Sequence, residues 1–103
     1  MRLGLKTTAL AAVLLAAPLT QADAQTMRFM TGPQGGVWVP LGGALKNMWE
    51  QAITGVSVTA IPGAGVANIR GVDEGRAQIG FGNSITTVDG LKGAAPFPRQ
   101  VTK

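Results

Sequence analysis

The chain has 103 residues, 46% of them hydrophobic, with 15 glycines, no cysteine, no histidine and a formal net charge of +4. That length allows at most one domain, or a piece of one. The apolar content excludes a disordered chain, and without His or Cys, zinc sites and Cys- or Ser-His-type catalysis are set aside. The basic residues beyond residue 24 (Arg28, Lys46, Arg70, Arg76, Lys92, Arg99 and Lys103) stand singly, without interleaved aromatics. They read as solvated surface charge, not as a nucleic-acid interface.

Residues 1–24 carry the pattern of a secretory signal. Arg2 and Lys6 form a positive start, Ala9 to Leu19 an apolar stretch broken by Pro18, and Ala22-Asp23-Ala24 a small-residue cleavage site. The apolar stretch is shorter than the roughly 18 to 20 residues a membrane span needs. Cleavage after Ala24 would leave residues 25–103 as a soluble exported domain, without a Cys for lipid anchoring.

Three similar units follow, each a short apolar run, a turn and a helical pattern. Met27 to Met30 predicts the first strand. The glycine turn Gly32 to Gly36 leads into a helix near Val39 to Ile53, with Pro40 in its first turn and Leu41, Ala44, Leu45, Met48 and Ala52 as an inward stripe. Gly42 and Gly43 each cost this helix roughly 1 kcal/mol against Ala, so close packing or a ligand is expected beside them. Val56 to Ile61 is rich in β-branched residues and predicts the second strand. Pro62 to Gly65 breaks it. A helix over Val66 to Glu74 follows, turning Val66, Ile69 and Val72 inward and ending at Gly75. Gln78 to Gly82 predicts the third strand. Asn83 or Ser84 then caps a helix that points Ile85, Val88 and Leu91 inward. After Pro98 no period remains.

Strand–helix alternation predicts an α/β fold with a parallel sheet and right-handed crossovers. Ligands of such sheets bind at the carboxyl ends of the strands, where helices begin. The turns at 31–38, 62–68 and 82–84 all fall there, and their bare backbone N–H groups and helix dipoles suit an anion. Trp38 is either core or a wall of that site. Asn68 is either solvated or aimed into it. Asn83 and Ser84 can cap and touch a ligand together. A dinucleotide fingerprint is absent, because the first turn reads Gly32-x-x-Gly35-Gly36 and Asn68 stands where a third glycine belongs; no Gly-Lys-Ser/Thr motif exists either. Glu50, Asp73, Glu74 and Asp89 read as solvated helix-surface acids, with no carboxylate pair for acid–base work. A binding protein is expected, not an enzyme, with no metal or cofactor.

Thr31 to Leu45, Thr-Gly-Pro-Gln-Gly-Gly-Val-Trp-Val-Pro-Leu-Gly-Gly-Ala-Leu, resembles the first motif of the TAXI-type solute-binding proteins of TRAP transporters. Val56 to Asn68 and Ala77 to Val88 are similar to the second and third motifs of that family, in the same order. The resemblance implies a periplasmic receptor of two α/β lobes closing on a small organic acid, such as an amino acid or dicarboxylate, and delivering it to TRAP permease subunits. It implies Thr31, Gln34, Gly35, Val37 and Trp38 as the first ligand loop, Gly65 and Asn68 as the second, and Asn83 and Ser84 as the third. Pro33-Gln34 and Trp38-Val39 depart from the usual Gly-rich and paired-aromatic pattern. Family members are longer, so residues 25–103 are expected to be a partial N-terminal lobe, a truncated fragment with weak capture on its own. A sensor or binding module without a transporter is the alternative, and an enzyme on a related fold a lesser one.

Overall fold

The structure, a computed structural model, describes residues 24–103. The signal-sequence reading therefore lies outside the described residues, apart from Ala24. Six elements alternate: β1 (Gln25–Met30), α1 (Trp38–Ala52), β2 (Val56–Ile61), α2 (Gly65–Asp73), β3 (Ile79–Gly80) and α3 (Ser84–Lys92). The strands form one parallel sheet in the order β2-β1-β3. The predicted order of elements and fold class agree with this architecture. The third strand is shorter than expected, because only Ile79 and Gly80 pair with β1 before the chain turns into α3.

The topology decides which face each helix covers. The step from β1 to β2 goes one way across the sheet and the step from β2 to β3 goes the other way. Crossovers of one hand then place α1 and α2 on opposite faces. The central strand records both layers. Phe29, 1% exposed, faces the α1 side, with its ring 5.2 Å from Trp49 and 4.9 Å from Phe81. Its neighbour Met30 faces the α2 side, where a Cβ on Gly71 would fall 2.2 Å from its sulfur. Gly71 is therefore glycine so that α2 can lie against the strand. Aromatic pairs at such distances add about 0.5–1.5 kcal/mol each beyond their area burial.

Two predicted faces are corrected. In α1, Leu41, Ala44, Met48 and Ala52 are exposed, Met48 by 62%. The packed stripe is Trp38, Gly42, Leu45 and Trp49, rotated from the predicted one and sharing only Leu45 with it. Gly42 is buried because a Cβ there would lie 2.3 Å from Thr31 Cγ2. The expectation of close packing thus holds for Gly42, whereas a Cβ on Gly43 would meet nothing within 4 Å. In α3, Ile85, Val88 and Leu91 are exposed, Ile85 by 74%. That helix packs instead through Gly90, against Ile69, Phe97 and Val101.

The acids are also corrected. Asp73 is 8% exposed, not solvated. Its carboxylate accepts from the Thr102 backbone N–H (2.8 Å) and from Arg99 Nη2 (2.7 Å). Glu50 accepts from Lys46 Nζ (2.6 Å) and from the outward N–H of Val58 (2.7 Å). Occupying that N–H blunts β2, an edge strand, against further pairing. No helix among the described residues is long and apolar enough to cross a membrane.

Candidate functional site

Because the strands are parallel, their carboxyl ends share one rim, and the three strand-to-helix loops gather there. Backbone bonds tie the first loop to each neighbour. Thr31 N–H donates to Ile61 O (2.8 Å), Gly63 N–H to Gly32 O (3.3 Å) and Phe81 N–H to Met30 O (3.0 Å). Between β1 and β3 the chain departs in opposite senses, into α1 on one face and α3 on the other, where α3 packs with α2. That is a topological switch point, and such points open a crevice outside the strand ends.

Each candidate residue sits at this rim, in different states. Pro33 to Gly36 form a tight turn closed by Gly36 N–H to Pro33 O (3.0 Å). Its third position needs a positive φ, which Gly35 supplies at +82°. Gln34, Gly35 and Val37 are exposed on this outer loop. Trp38 is half-buried and lies across the switch point on Phe81, with ring centroids 5.5 Å apart. It is thus both core and crevice wall. Gly32 makes room for it, since a Cβ there would lie 2.8 Å from Trp38 Cβ. Thr31 is buried, and its hydroxyl donates to Ile61 O (3.2 Å).

At the second loop, Gly65 opens α2 beside the third loop, where a Cβ would sit 3.1 Å from Asn83 Nδ2. Asn83 caps α3, its Oδ1 accepting from Thr86 N–H and Thr86 Oγ1, both at 2.9 Å. Its Nδ2 faces Gly65. Ser84 is exposed in the first turn of α3.

Asn68 is neither solvated nor aimed at a ligand. It is 1% exposed. Its Nδ2 donates to Thr31 O (2.7 Å) and Phe81 O (2.9 Å), with Met30 O at 3.4 Å, and its Oδ1 accepts from Ala64 N–H (3.1 Å). One amide thus fastens all three loops. Gly63 and Gly80 are shaped by it. A Cβ on Gly63 would fall 1.8 Å from Asn68 Oδ1, and one on Gly80 3.1 Å from Asn68 Cβ. These two glycines serve the fastening rather than a bare-amide surface. Phe81 was not among the sequence candidates. Its signal was its place directly before the Gly82-Asn83 turn, where an aromatic ends a strand at the rim.

The electrostatics come from the backbone alone. The loops at 31–38, 62–68 and 81–86 contain no charged residue. None of α1, α2 and α3 carries an acidic residue in its first turn, and neither α1, with N-cap Val37, nor α2, with N-cap Ala64, has a side-chain cap. The first N–H groups of a helix lack intrahelical partners. In α1, Val39 N–H donates to Gly36 O and Pro40 has no N–H, and in α3, Thr86 N–H goes to Asn83 Oδ1, so the donors left at these starts are those of Trp38, of Gly65 to Ala67, and of Ser84 and Ile85, beside positive dipole ends. A groove of about 440 Å³ runs along the free edge of β3 from Leu91 and reaches the rim loops at Asn68 and Gly82. A second hollow of about 260 Å³ lies by Arg70, Phe97 and Arg99. Among the described residues no cluster of three His, Cys, Asp or Glu could hold a metal.

A parallel α/β unit with strand-to-helix turns gathered at the carboxyl rim is consistent with a partial lobe of the periplasmic-binding-protein-like class. A family model described as the NMT1-like family matches residues 29–103, and the chain belongs to that family. The match begins in β1 and takes in all three rim loops. No curated protein and no solved structure matches the chain.

Proposed function

We propose that this chain is a lobe of a periplasmic solute receptor serving a TRAP-type transporter, and that its rim takes the carboxylate of a small organic acid, an amino acid or a dicarboxylate. The observation that carries the reading is the convergence of three helix starts on one rim without an acidic first-turn residue in any of them. Two of the three are also without a side-chain cap. A carboxylate there meets unpaired N–H groups and favourable dipoles. Trp38 on Phe81 gives an apolar wall for the ligand's carbon skeleton. Membership of a binding-protein family supports a small-molecule ligand. The likeness of the motifs at 31–45, 56–68 and 77–88 to TAXI-type receptors supports the transporter and its permease subunits as partners. Export rests on the signal pattern of residues 1–24, and the reading involves no catalysis and no cofactor. Val37, Leu41 and Ile85, exposed apolar residues at the starts of α1 and α3, suit a second lobe closing over the rim.

The test is an amide-shift titration of the chain purified after export, with L-glutamate, succinate and 2-oxoglutarate at millimolar concentration. Shifts should concentrate at Gly35 to Trp38, Gly65 to Ala67 and Ser84 to Ile85. Absence of shifts with all three acids, or shifts gathered away from the rim, would refute it. N-terminal sequencing of the exported product should begin at Gln25.

A further inference from the structure

The three rim loops come from three separate crossovers, yet a single buried side chain touches each of them. We infer that Asn68 is the positioning residue of the rim: it sets the spacing of the three loops so that they move as one body, and the affinity of the solute site depends on its two amide hydrogens. The site in question is the one read above as a solute site, and the inference deepens that reading.

The chemistry of the group fits this task. A primary amide offers two donors and an acceptor in one plane. Here the donors go to Thr31 O in the β1–α1 loop and Phe81 O in the β3–α3 loop, and the acceptor takes Ala64 N–H in the β2–α2 loop. The backbone bonds at the rim join the loops only in pairs and always through β1 or its loop. The β2–α2 and β3–α3 loops are bridged to each other through Asn68. The side chain itself is 1% exposed and its bond to Thr31 O is buried, so water does not replace its donors. Its two close glycine neighbours come from different units, Gly63 after β2 and Gly80 in β3. A serine hydroxyl has one donor, and an aspartate at neutral pH has none. No other small side chain reproduces the fork. None of the groups it bonds is titratable, so the fastening is independent of pH.

The test is amide hydrogen exchange on the full chain without ligand, followed by titration. In Asn68→Ala, the protection of Gly63, Ala64 and Phe81 N–H should fall together by tenfold or more, while Thr102 N–H at the far end of α2 keeps its protection. Asn68→Asp separates the two halves of the amide. It retains the acceptor, so Ala64 N–H stays protected, and whether ionised or protonated by burial it cannot donate to both carbonyls, so Phe81 N–H exchanges at least tenfold faster. Gly63→Ala, which displaces Oδ1 while leaving Asn68 in place, should loosen Ala64 and Phe81 together. If Asn68→Ala does not fold, the other two variants decide. Loosening confined to Ala64 in Gly63→Ala, or unchanged Phe81 exchange in Asn68→Asp, would overturn the inference. In the titration with L-glutamate and succinate, Asn68→Asp should bind at least tenfold more weakly than wild type; equal affinity would also overturn it. Should wild type bind neither acid, the solute reading falls, and the exchange measurements alone decide whether Asn68 couples the loops.

Discussion

Helix α2 carries two buried polar side chains five residues apart, and they fasten different ends of the molecule by different chemistry. Asn68 faces the carboxyl rim and holds three loops with a neutral amide. Asp73, the last residue of the helix, holds the C-terminal segment with a carboxylate that takes Thr102 N–H and Arg99. Both obey one rule: a polar group removed from water must find partners within the fold. The difference lies in what each can respond to. The amide cannot titrate, and no charged residue lies in the rim loops, so the rim is insensitive to acid. The carboxylate can lose its charge, and with it the tie to the segment at Arg99 to Thr102. The rim is thus built from groups of fixed charge state, and the pH-dependent contacts sit away from it.

The largest expected effect breaks the neutral fastening. Asn68→Ala leaves the buried carbonyl of Thr31 without its partner, at about 1–3 kcal/mol for an unsatisfied buried group, removes the bonds to the part-buried Phe81 carbonyl and Ala64 N–H, and empties a fully buried side-chain site. In a three-stranded domain this is enough to lower the denaturation midpoint steeply or to unfold the chain, as urea titration would read out. Asp73→Asn should cost less. The tail it holds is exposed around Arg99, and Thr102 N–H retains an acceptor. A midpoint drop in Asp73→Asn as large as in Asn68→Ala would remove the distinction between the two ends.

Acid sharpens the same contrast. The Thr102 N–H, together with Arg99, holds Asp73 below its usual carboxylate range, and the Lys46 ammonium with the Val58 N–H does so for Glu50. A carboxyl whose folded pKa is depressed contributes stability that is fully present above its unfolded value and is lost as pH falls through the folded one. Between about pH 5 and about pH 2, protection should therefore decline first at Thr102 and Val58 N–H, while Ala64 and Phe81 N–H stay protected until the domain unfolds. Exchange measured across that range, corrected for intrinsic rates, checks the order. Loss at Phe81 before Thr102 would contradict it.

The order of elements, the parallel sheet and the single rim were legible in the sequence, because strand–helix alternation admits few other arrangements. The faces of the helices were not. An apolar stripe such as Leu41, Ala44 and Met48 reports that a face is apolar, not which layer covers it. The stripe that does pack in α1 is centred on Gly42, where the packing signal is a missing side chain. Asn68 and Asp73 were hidden for a related reason: hydropathy assigns polar residues to the surface, and only the partners of a buried one show why it is inside. The same contrast predicts a small effect at Met48. Met48→Glu, on the exposed stripe, should change stability by no more than about 0.5 kcal/mol in the isolated chain. A larger loss, measured by urea titration, would mean that this face is covered in solution.

The remaining effect has the opposite sign and separates two adjacent glycines. Gly43 sits inside α1 with ordinary helical φ, and a Cβ there would meet nothing within 4 Å. Glycine in a helix interior is worse than alanine by roughly 0.8–1 kcal/mol, through backbone entropy in the unfolded chain. Gly43→Ala should therefore stabilise the chain, by about 0.5–1 kcal/mol, and raise its melting temperature by several degrees. Gly42→Ala is the control. Its Cβ would press on Thr31 Cγ2, and Thr31 cannot swing aside without giving up its bond to Ile61 O, so stability should fall. If Gly43→Ala stabilises the free chain yet weakens the amide shifts induced by L-glutamate or succinate, then the bound state brings something against α1 at that position, and the glycine is kept for the complex rather than for the fold. If it stabilises the chain and leaves those shifts unchanged, the close-approach explanation of this glycine is withdrawn. The rim would then owe its shape to the glycines that accommodate Thr31, Trp38 and Asn68.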